Sequence, residues 1–152
     1  MNDTHIKPVR RIIVCVNGAS TDPYVVEYAA AVGKPTKAAI TVLHVVEIDW
    51  TLPLDGSTAG LSEEAQRVLD VAEANAERVG LRLEPVLLKA RNVGSAIVDE
   101  AAAQGADLLV LGLPYRKRFG GDFVIGSTVP YVFKNAPCTV CVVREPMPEE
   151  GA

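Results

Sequence analysis

The chain has 152 residues, 49% of them apolar, and a net charge of −4, which fits one domain with a buried core. Its acidic balance argues against binding nucleic acid, which requires a basic surface. No apolar stretch reaches the ~20 residues that span a bilayer. No apolar signal region follows the charged N-terminal residues, so we expect a cytoplasmic location and no membrane span.

Strands and helices are predicted to alternate along the whole chain. Asp22 followed by Pro23 is typical of a helix N-cap with proline at the first helical position, and Gly33 is typical of a helix end. The predicted elements, in chain order, are a strand at 12–16, a helix at 22–33, a strand at 39–46, a helix at 61–80, a strand at 81–89, a helix at 93–104, a strand at 107–113, a helix at 126–135 and a strand at Thr139–Arg144.

This alternation indicates an α/β fold with a parallel sheet and helices on both of its faces. Open sheets of this kind bind ligands in a crevice at the carboxyl ends of the strands, where the strand order reverses. We expect residues 10–145 to form that domain, preceded by an N-terminal arm, 1–9, and followed by a flexible tail, 146–152. The residues just after the first, second and fourth strands are therefore the candidates for a site.

Gly126-Ser127-Thr128 opens the last predicted helix and combines free backbone N–H groups with two hydroxyls. Such a helix start is an anion-binding arrangement. The alternative is that Ser127 simply caps the helix. The preceding loop contains three consecutive cations, 116–118, which either contact a phosphate or form an exposed basic surface.

The side chains of Cys138, Cys141 and His44 are interpreted as structural residues. Cys138 and Cys141 lie three apart on a strand, so they point to opposite faces and are interpreted as small buried residues. His44 lies in an apolar strand and is interpreted as a core residue. No motif of a metal site, a Walker loop or a hydrolase nucleophile is present, and we expect no catalytic residue and no metal site.

The order of these segments resembles the universal stress protein family from about Arg10 to Arg144. The resemblance rests on RIIVCVNGAS, LHVVE, GSAIVDEAAAQGADLLVLG, the Gly-Ser helix start and NAPCTVCVVR. It implies a five-stranded parallel sheet in the order 3-2-1-4-5, of the adenine-nucleotide alpha-hydrolase-like type. Many members of this family bind ATP, and many form dimers.

The resemblance also implies a set of site residues, with two departures from the family's pattern. Nucleotide-binding members have Gly, two residues, Gly, nine residues and Gly-Ser, whereas this chain has Gly112, then Tyr115 in the second glycine's place, and a spacer, 116–125, one residue longer. Asn17 replaces the usual aspartate. Val45 matches the position whose backbone pairs with adenine. The predicted nucleotide-binding residues are Cys15, Val16, Asn17, Val45, Leu111, Gly112, Tyr115, Arg116, Arg118, Gly126, Ser127 and Thr128.

The function implied by the resemblance is a regulatory module that binds ATP, ADP or AMP, with or without Mg²⁺, and hydrolyses ATP weakly at most. The alternative is a dimeric stress-response module that binds no nucleotide, which the Tyr115 departure favours. In either case we expect a homodimer through the last strand, Thr139–Arg144, because a bare apolar edge strand invites aggregation. Trp50 either covers the base or lies at an oligomer contact.

Overall fold

The computed structural model describes residue 5 and residues 7–51, 59–115 and 125–147. Within these ranges the elements, in chain order, are β1 (Arg11–Cys15), α1 (Asp22–Gly33), β2 (Ala39–Glu47), α2 (Ala59–Arg78), β3 (Glu84–Ala90), α3 (Val93–Gln104), β4 (Leu108–Leu113), α4 (Thr128–Asn135) and β5 (Thr139–Arg144).

The five strands form one parallel sheet in the order β3-β2-β1-β4-β5. The predicted fold class and strand order are confirmed. In the centre of the sheet, Val14 lies opposite Val42 of β2 and Val110 of β4. The chain leaves β1 toward β2 and β3 and later returns to the other side of β1, so the strand order reverses between β1 and β4.

Alternate residues of the strands enter two separate cores, as expected for a sheet covered on both faces. Ile12 and Val14 pack with Val25 of α1 and with residues of α2. Ile13 packs with Ile97 of α3 on the opposite face, where α4 completes the layer. In the described part of the chain, no helix is long and apolar enough to cross a membrane.

The third strand begins three residues later than its apolar pattern predicts. The end of α2 explains the difference: Gly80 has φ +73°, and the Leu81 N–H donates to the Ala76 carbonyl at 2.9 Å. This is the hydrogen bond of a Schellman cap. Residues directly after Gly80 therefore finish the helix, and strand pairing begins only at Glu84.

The predicted N-cap of α1 is wrong. Thr21 occupies the N-cap position, without a side-chain capping bond, and Asp22 is the first helical residue. The Asp22 carboxylate turns back toward the loop after β1 instead of capping the helix. The helix after the last loop also starts later than predicted, at Thr128, because Gly126 has φ +80° and is not helical.

Candidate functional site

A cavity of about 260 Å³ opens at the carboxyl ends of β1, β2 and β4. It lies where the strand order reverses, which is the place that the topology of an open α/β sheet reserves for ligands. The wall on one side is formed by the loop after β1, and the wall on the other by the starts of α3 and α4. We call this cavity the crevice.

Most of the residues predicted from the sequence are brought together in the crevice. Those that line it are Cys15, Val16, Asn17, Val45, Leu111, Gly112, Gly126, Ser127 and Thr128. Tyr115 is not among the lining residues. Arg116 and Arg118 lie outside the described residues, so their predicted contact with phosphate stays a prediction.

Sequence reasoning missed further lining residues of two kinds. An apolar group comes from the sheet, from α3, from the loop after β4 and from the start of α4, and a polar pair comes from the start of α1. The helical spacing of Val93 and Ile97 was a usable signal for the first kind. The missed residues are Thr21, Asp22, Leu43, Val93, Ile97, Leu113, Pro114, Ile125 and Val129.

The start of α4 forms the open end of the crevice. Ser127 occupies the N-cap position, yet its side chain makes no capping hydrogen bond. Gly126 has φ +80°, and an added Cβ would meet no described heavy atom within 4 Å. The first N–H groups of a helix have no partner within the helix. This end of the crevice therefore offers backbone donors beside open space.

Asp22 organises the loop on the other side of the crevice. Its side chain is 4% exposed, and its carboxylate oxygens accept hydrogen bonds from Asn17 N–H at 3.2 Å and Gly18 N–H at 2.7 Å. Burial raises the pKa of Asp22 above its ordinary value, while these two hydrogen bonds and the nearby His44 act in the opposite direction. The carboxylate thus holds the loop at the cost of a buried charge.

The raised pKa of Asp22 gives a pH dependence with a defined sign. The folded chain binds the proton of Asp22 more readily than the unfolded chain, so this group's contribution to stability falls as pH rises from 3.8, its ordinary pKa, through the folded-state value. Asp22→Asn removes that titration. We expect the unfolding free energy of wild type minus that of D22N to decrease with rising pH in this window, as measured by urea denaturation.

Asp107 supplies a matched control with the opposite sign. Its carboxylate accepts hydrogen bonds from Arg10 and Arg11 N–H, which lower the pKa of Asp107. Its contribution to stability is present above 3.8 and is lost as pH falls through the lower folded-state pKa. The difference between wild type and D107N should therefore shrink toward acid. A D22N difference that follows the D107N direction would contradict the burial of Asp22.

Cys15 lines the crevice but is a poor nucleophile there. Burial raises the pKa of its thiol to about 12, so the reactive thiolate is scarce at neutral pH. Among the residues that the structure describes, no group of three or more His, Cys, Asp and Glu side chains could hold a metal ion. The described part of the crevice combines hydrogen-bond donors at the start of α4 with apolar walls.

Tyr115 follows the lining residue Pro114 and meets Glu145, the residue after β5. The Tyr115 N–H donates to Glu145 Oε1 at 2.9 Å, and the Arg144 guanidinium lies 5.2 Å from the centre of the Tyr115 ring. The other oxygen, Oε2, accepts a hydrogen bond from the Ser20 hydroxyl at 2.7 Å. The ring thus packs toward the end of β5, and the tyrosine that replaces the expected glycine does not fill the crevice.

Trp50 and His44 also lie outside the set of residues that line the crevice. The Trp50 side chain is 79% exposed and stacks with Arg91, whose guanidinium is 5.0 Å from the ring centre. His44 Nδ1 is 2.8 Å from the Val16 carbonyl oxygen, to which it must donate because a carbonyl only accepts. His44 therefore ties β2 to the end of β1.

The chain matches the family model described as "Universal stress protein family" over residues 8–144. A universal stress protein of Methanocaldococcus jannaschii is 27% identical in sequence, over 92% of this chain and 85% of that protein. The match covers all nine helices and strands within the described ranges.

Solved structures share the fold. A universal stress protein from Archaeoglobus fulgidus superposes with a TM-score of 0.73 at 24% identity, covering 88% of this chain and 97% of that one. A structure of the universal stress protein from the same organism in complex with dAMP gives a TM-score of 0.70 at 22% identity, covering 90% of this chain and 98% of that one.

Proposed function

We propose, given that this chain belongs to the universal stress protein family, that its crevice binds an adenine nucleotide and that the protein acts as a nucleotide-binding regulatory module. The observation that carries the proposal is the start of α4, at the ligand-binding edge of the sheet. There Gly126 faces open space, and the side chain of the N-cap residue Ser127 makes no capping hydrogen bond. Structures of the same fold were solved with dAMP, cAMP and AMP bound.

The crevice has the two ends that a nucleotide needs. Val45, Val93 and Ile97 contribute apolar surface on which a base can pack. Thr128 and its neighbours at the start of α4 offer N–H groups and hydroxyls, which suit a phosphate. We assign the base to the apolar end and the phosphate to the start of α4.

Asn17 presents a donor to the ligand between these ends. Its Oδ1 accepts a hydrogen bond from the Ala19 N–H at 3.1 Å, which identifies that atom as the oxygen because an N–H needs an acceptor. The amide NH₂ group therefore points away from that bond. A ribose hydroxyl accepts a hydrogen bond as well as donating one, so Asn17 serves a nucleoside even without the charge of the expected aspartate.

Titration calorimetry tests the proposal. AMP, dAMP, cAMP and ATP should be titrated into the folded protein with and without Mg²⁺, and at least one should bind with saturable, single-site behaviour. Mg²⁺ would reach this site with the phosphates of ATP, since phosphates commonly supply its ligands. Absence of measurable affinity for all of these nucleotides, in a protein that unfolds cooperatively, would overturn the proposal.

The second candidate function is a dimeric module that binds no nucleotide. The hydrogen bond from the Tyr115 N–H to Glu145 favours it, because that N–H is then not available to a phosphate. At the outer edge of β5, no described strand pairs with the backbone, and Val142 and its neighbours are only half-buried. We propose that a second copy of the chain pairs with this edge about a two-fold axis. Sedimentation equilibrium should then give twice the mass of one chain, and a strict monomer at all concentrations would contradict the dimer.

A further inference from the structure

We propose that the crevice selects ligands with a single phosphate group, and that Glu145 is the residue that disfavours diphosphates and triphosphates. The proposal rests on the proposed nucleotide site and narrows its ligand to a nucleoside monophosphate. It follows from a comparison of the backbone N–H groups at the end of β4 with those at the start of α4.

At the exit of β4, neither Pro114 nor Tyr115 has a backbone N–H available to an anion. Leu113 and Pro114 both line the crevice, and proline has no N–H group. The next N–H, that of Tyr115, is already donated to Glu145 Oε1 at 2.9 Å. A phosphate beside these two residues would lose water and gain no backbone hydrogen bond from either of them, which is unfavourable for a charged group.

Glu145 is held at this place by three hydrogen bonds, one made by its backbone N–H and two accepted by its carboxylate, the first of these from the Tyr115 N–H. The Glu145 N–H donates to the Leu113 carbonyl at 3.2 Å, which continues the pairing of β5 with β4. Oε2 accepts a hydrogen bond from the Ser20 hydroxyl at 2.7 Å in the loop after β1. The carboxylate therefore joins the loop after β1 to the loop after β4, next to the lining residue Pro114.

The start of α4 has donors for one phosphate. The N–H groups of Thr128 and Val129 lie in the first turn, and the Tyr131 N–H makes the first hydrogen bond back into the helix, to Ser127. Pro130, between them, has no N–H. Among the described residues, the backbone donors that the start of α4 offers are therefore concentrated within one helical turn.

The experiment compares AMP, ADP and ATP by calorimetry at constant ionic strength without Mg²⁺. For the wild-type protein we expect ATP to bind roughly tenfold or more weakly than AMP, since hydrogen bonds to charged groups are the stronger class and the outer phosphates gain none from the backbone of Pro114 and Tyr115. Glu145→Ala frees the Tyr115 N–H and should narrow the difference between AMP and ATP to about threefold.

Two further variants separate the effect of the Tyr115–Glu145 hydrogen bond from the effects of the Glu145 charge and of its contact with Ser20. Glu145→Gln is neutral and similar in shape, with an oxygen to accept from the Tyr115 N–H and an amide to donate to the Ser20 hydroxyl, so it should keep the wild-type preference for AMP. Ser20→Ala removes only the second of these contacts and should also keep it. Thermal unfolding of each variant verifies the fold.

The outcomes that overturn the inference are distinct from those that overturn nucleotide binding. ATP binding as tightly as AMP would overturn it, which is the result expected if the cations at 116–118 hold the outer phosphates. An unchanged preference in E145A, or an equal loss of preference in E145Q, would also overturn it. If no adenine nucleotide binds the folded protein, the proposed function fails first.

Discussion

Gly126→Ala is expected to weaken AMP binding by roughly tenfold or more while lowering the unfolding free energy by only about 1 kcal/mol. The stability cost arises because Gly126 has φ +80°, a conformation that a side chain disfavours. The binding cost has a different origin. An added methyl group meets no described heavy atom within 4 Å, so it enters the space through which a phosphate approaches the start of α4.

Gly105→Ala is the matched control for this prediction. Gly105 also has a positive φ, +64°, and an added Cβ would likewise meet no described heavy atom within 4 Å. It ends α3 as its C-cap and does not line the crevice. Urea denaturation should therefore show similar losses for the two variants, and calorimetry should show weaker AMP binding for G126A alone. If the two variants bound AMP with equal affinity, the proposal that Gly126 lies at the phosphate site would be wrong.

The fold was predictable because its determinants are local. Each strand is a short apolar run, and each helix carries its own period and end signal, so the order of elements follows from neighbouring residues. Strands at the centre of a parallel sheet are buried on both faces, which makes a run such as 12–16 easy to identify. The edge strand β3 is only partly buried, so its apolar pattern does not distinguish its first residues from the residues that finish α2.

The site was predictable only where the topology determines it. The ends of β1 and β4 must meet at the reversal of strand order, so Asn17 and Gly112 were expected together. Asp22 was misassigned because Asp-Pro has the local pattern of a capped helix start, whereas the N–H groups that its carboxylate reaches depend on the path of the loop. Sequence alone does not give that path.

The consequence of Tyr115 depends on a residue far along the chain. A tyrosine in place of glycine suggests a blocked phosphate site, yet its ring packs on Arg144 and its N–H is bonded to Glu145, thirty residues later. These contacts exist because β5 is the neighbour of β4, so the chain after β5 emerges beside the exit of β4. The predicted role of Arg116 and Arg118 lies outside the described residues and stays a prediction.

Gly112→Ala is expected to cost about 2–3 kcal/mol of unfolding free energy, the upper part of the range for overpacking a core. An added Cβ would lie 2.6 Å from Thr21 Oγ1, 2.9 Å from Thr21 Cβ and 3.2 Å from Val25 Cγ1. Thr21 is 1% exposed and branched at Cβ, so it has little freedom to move. The strand and the start of α1 would have to separate, and the crevice between them would change shape. Urea denaturation measures the first effect, and AMP titration the second.

Gly33→Ala distinguishes this close approach from a general intolerance of buried glycines to substitution. Its added Cβ would lie 2.9 Å from Ile40 Cδ1 and 3.1 Å from Ile12 Cδ1, both at the ends of flexible side chains. Gly33 also lies in α1, where alanine is favoured over glycine by about 1 kcal/mol, so the net change should be small.

Thr21→Gly removes both of the shortest contacts at Gly112, and glycine is accepted at an N-cap. The double variant T21G/G112A should therefore lose less stability than the sum of the two single losses. Strict additivity would mean that the packing of Thr21 on Gly112 does not set the cost.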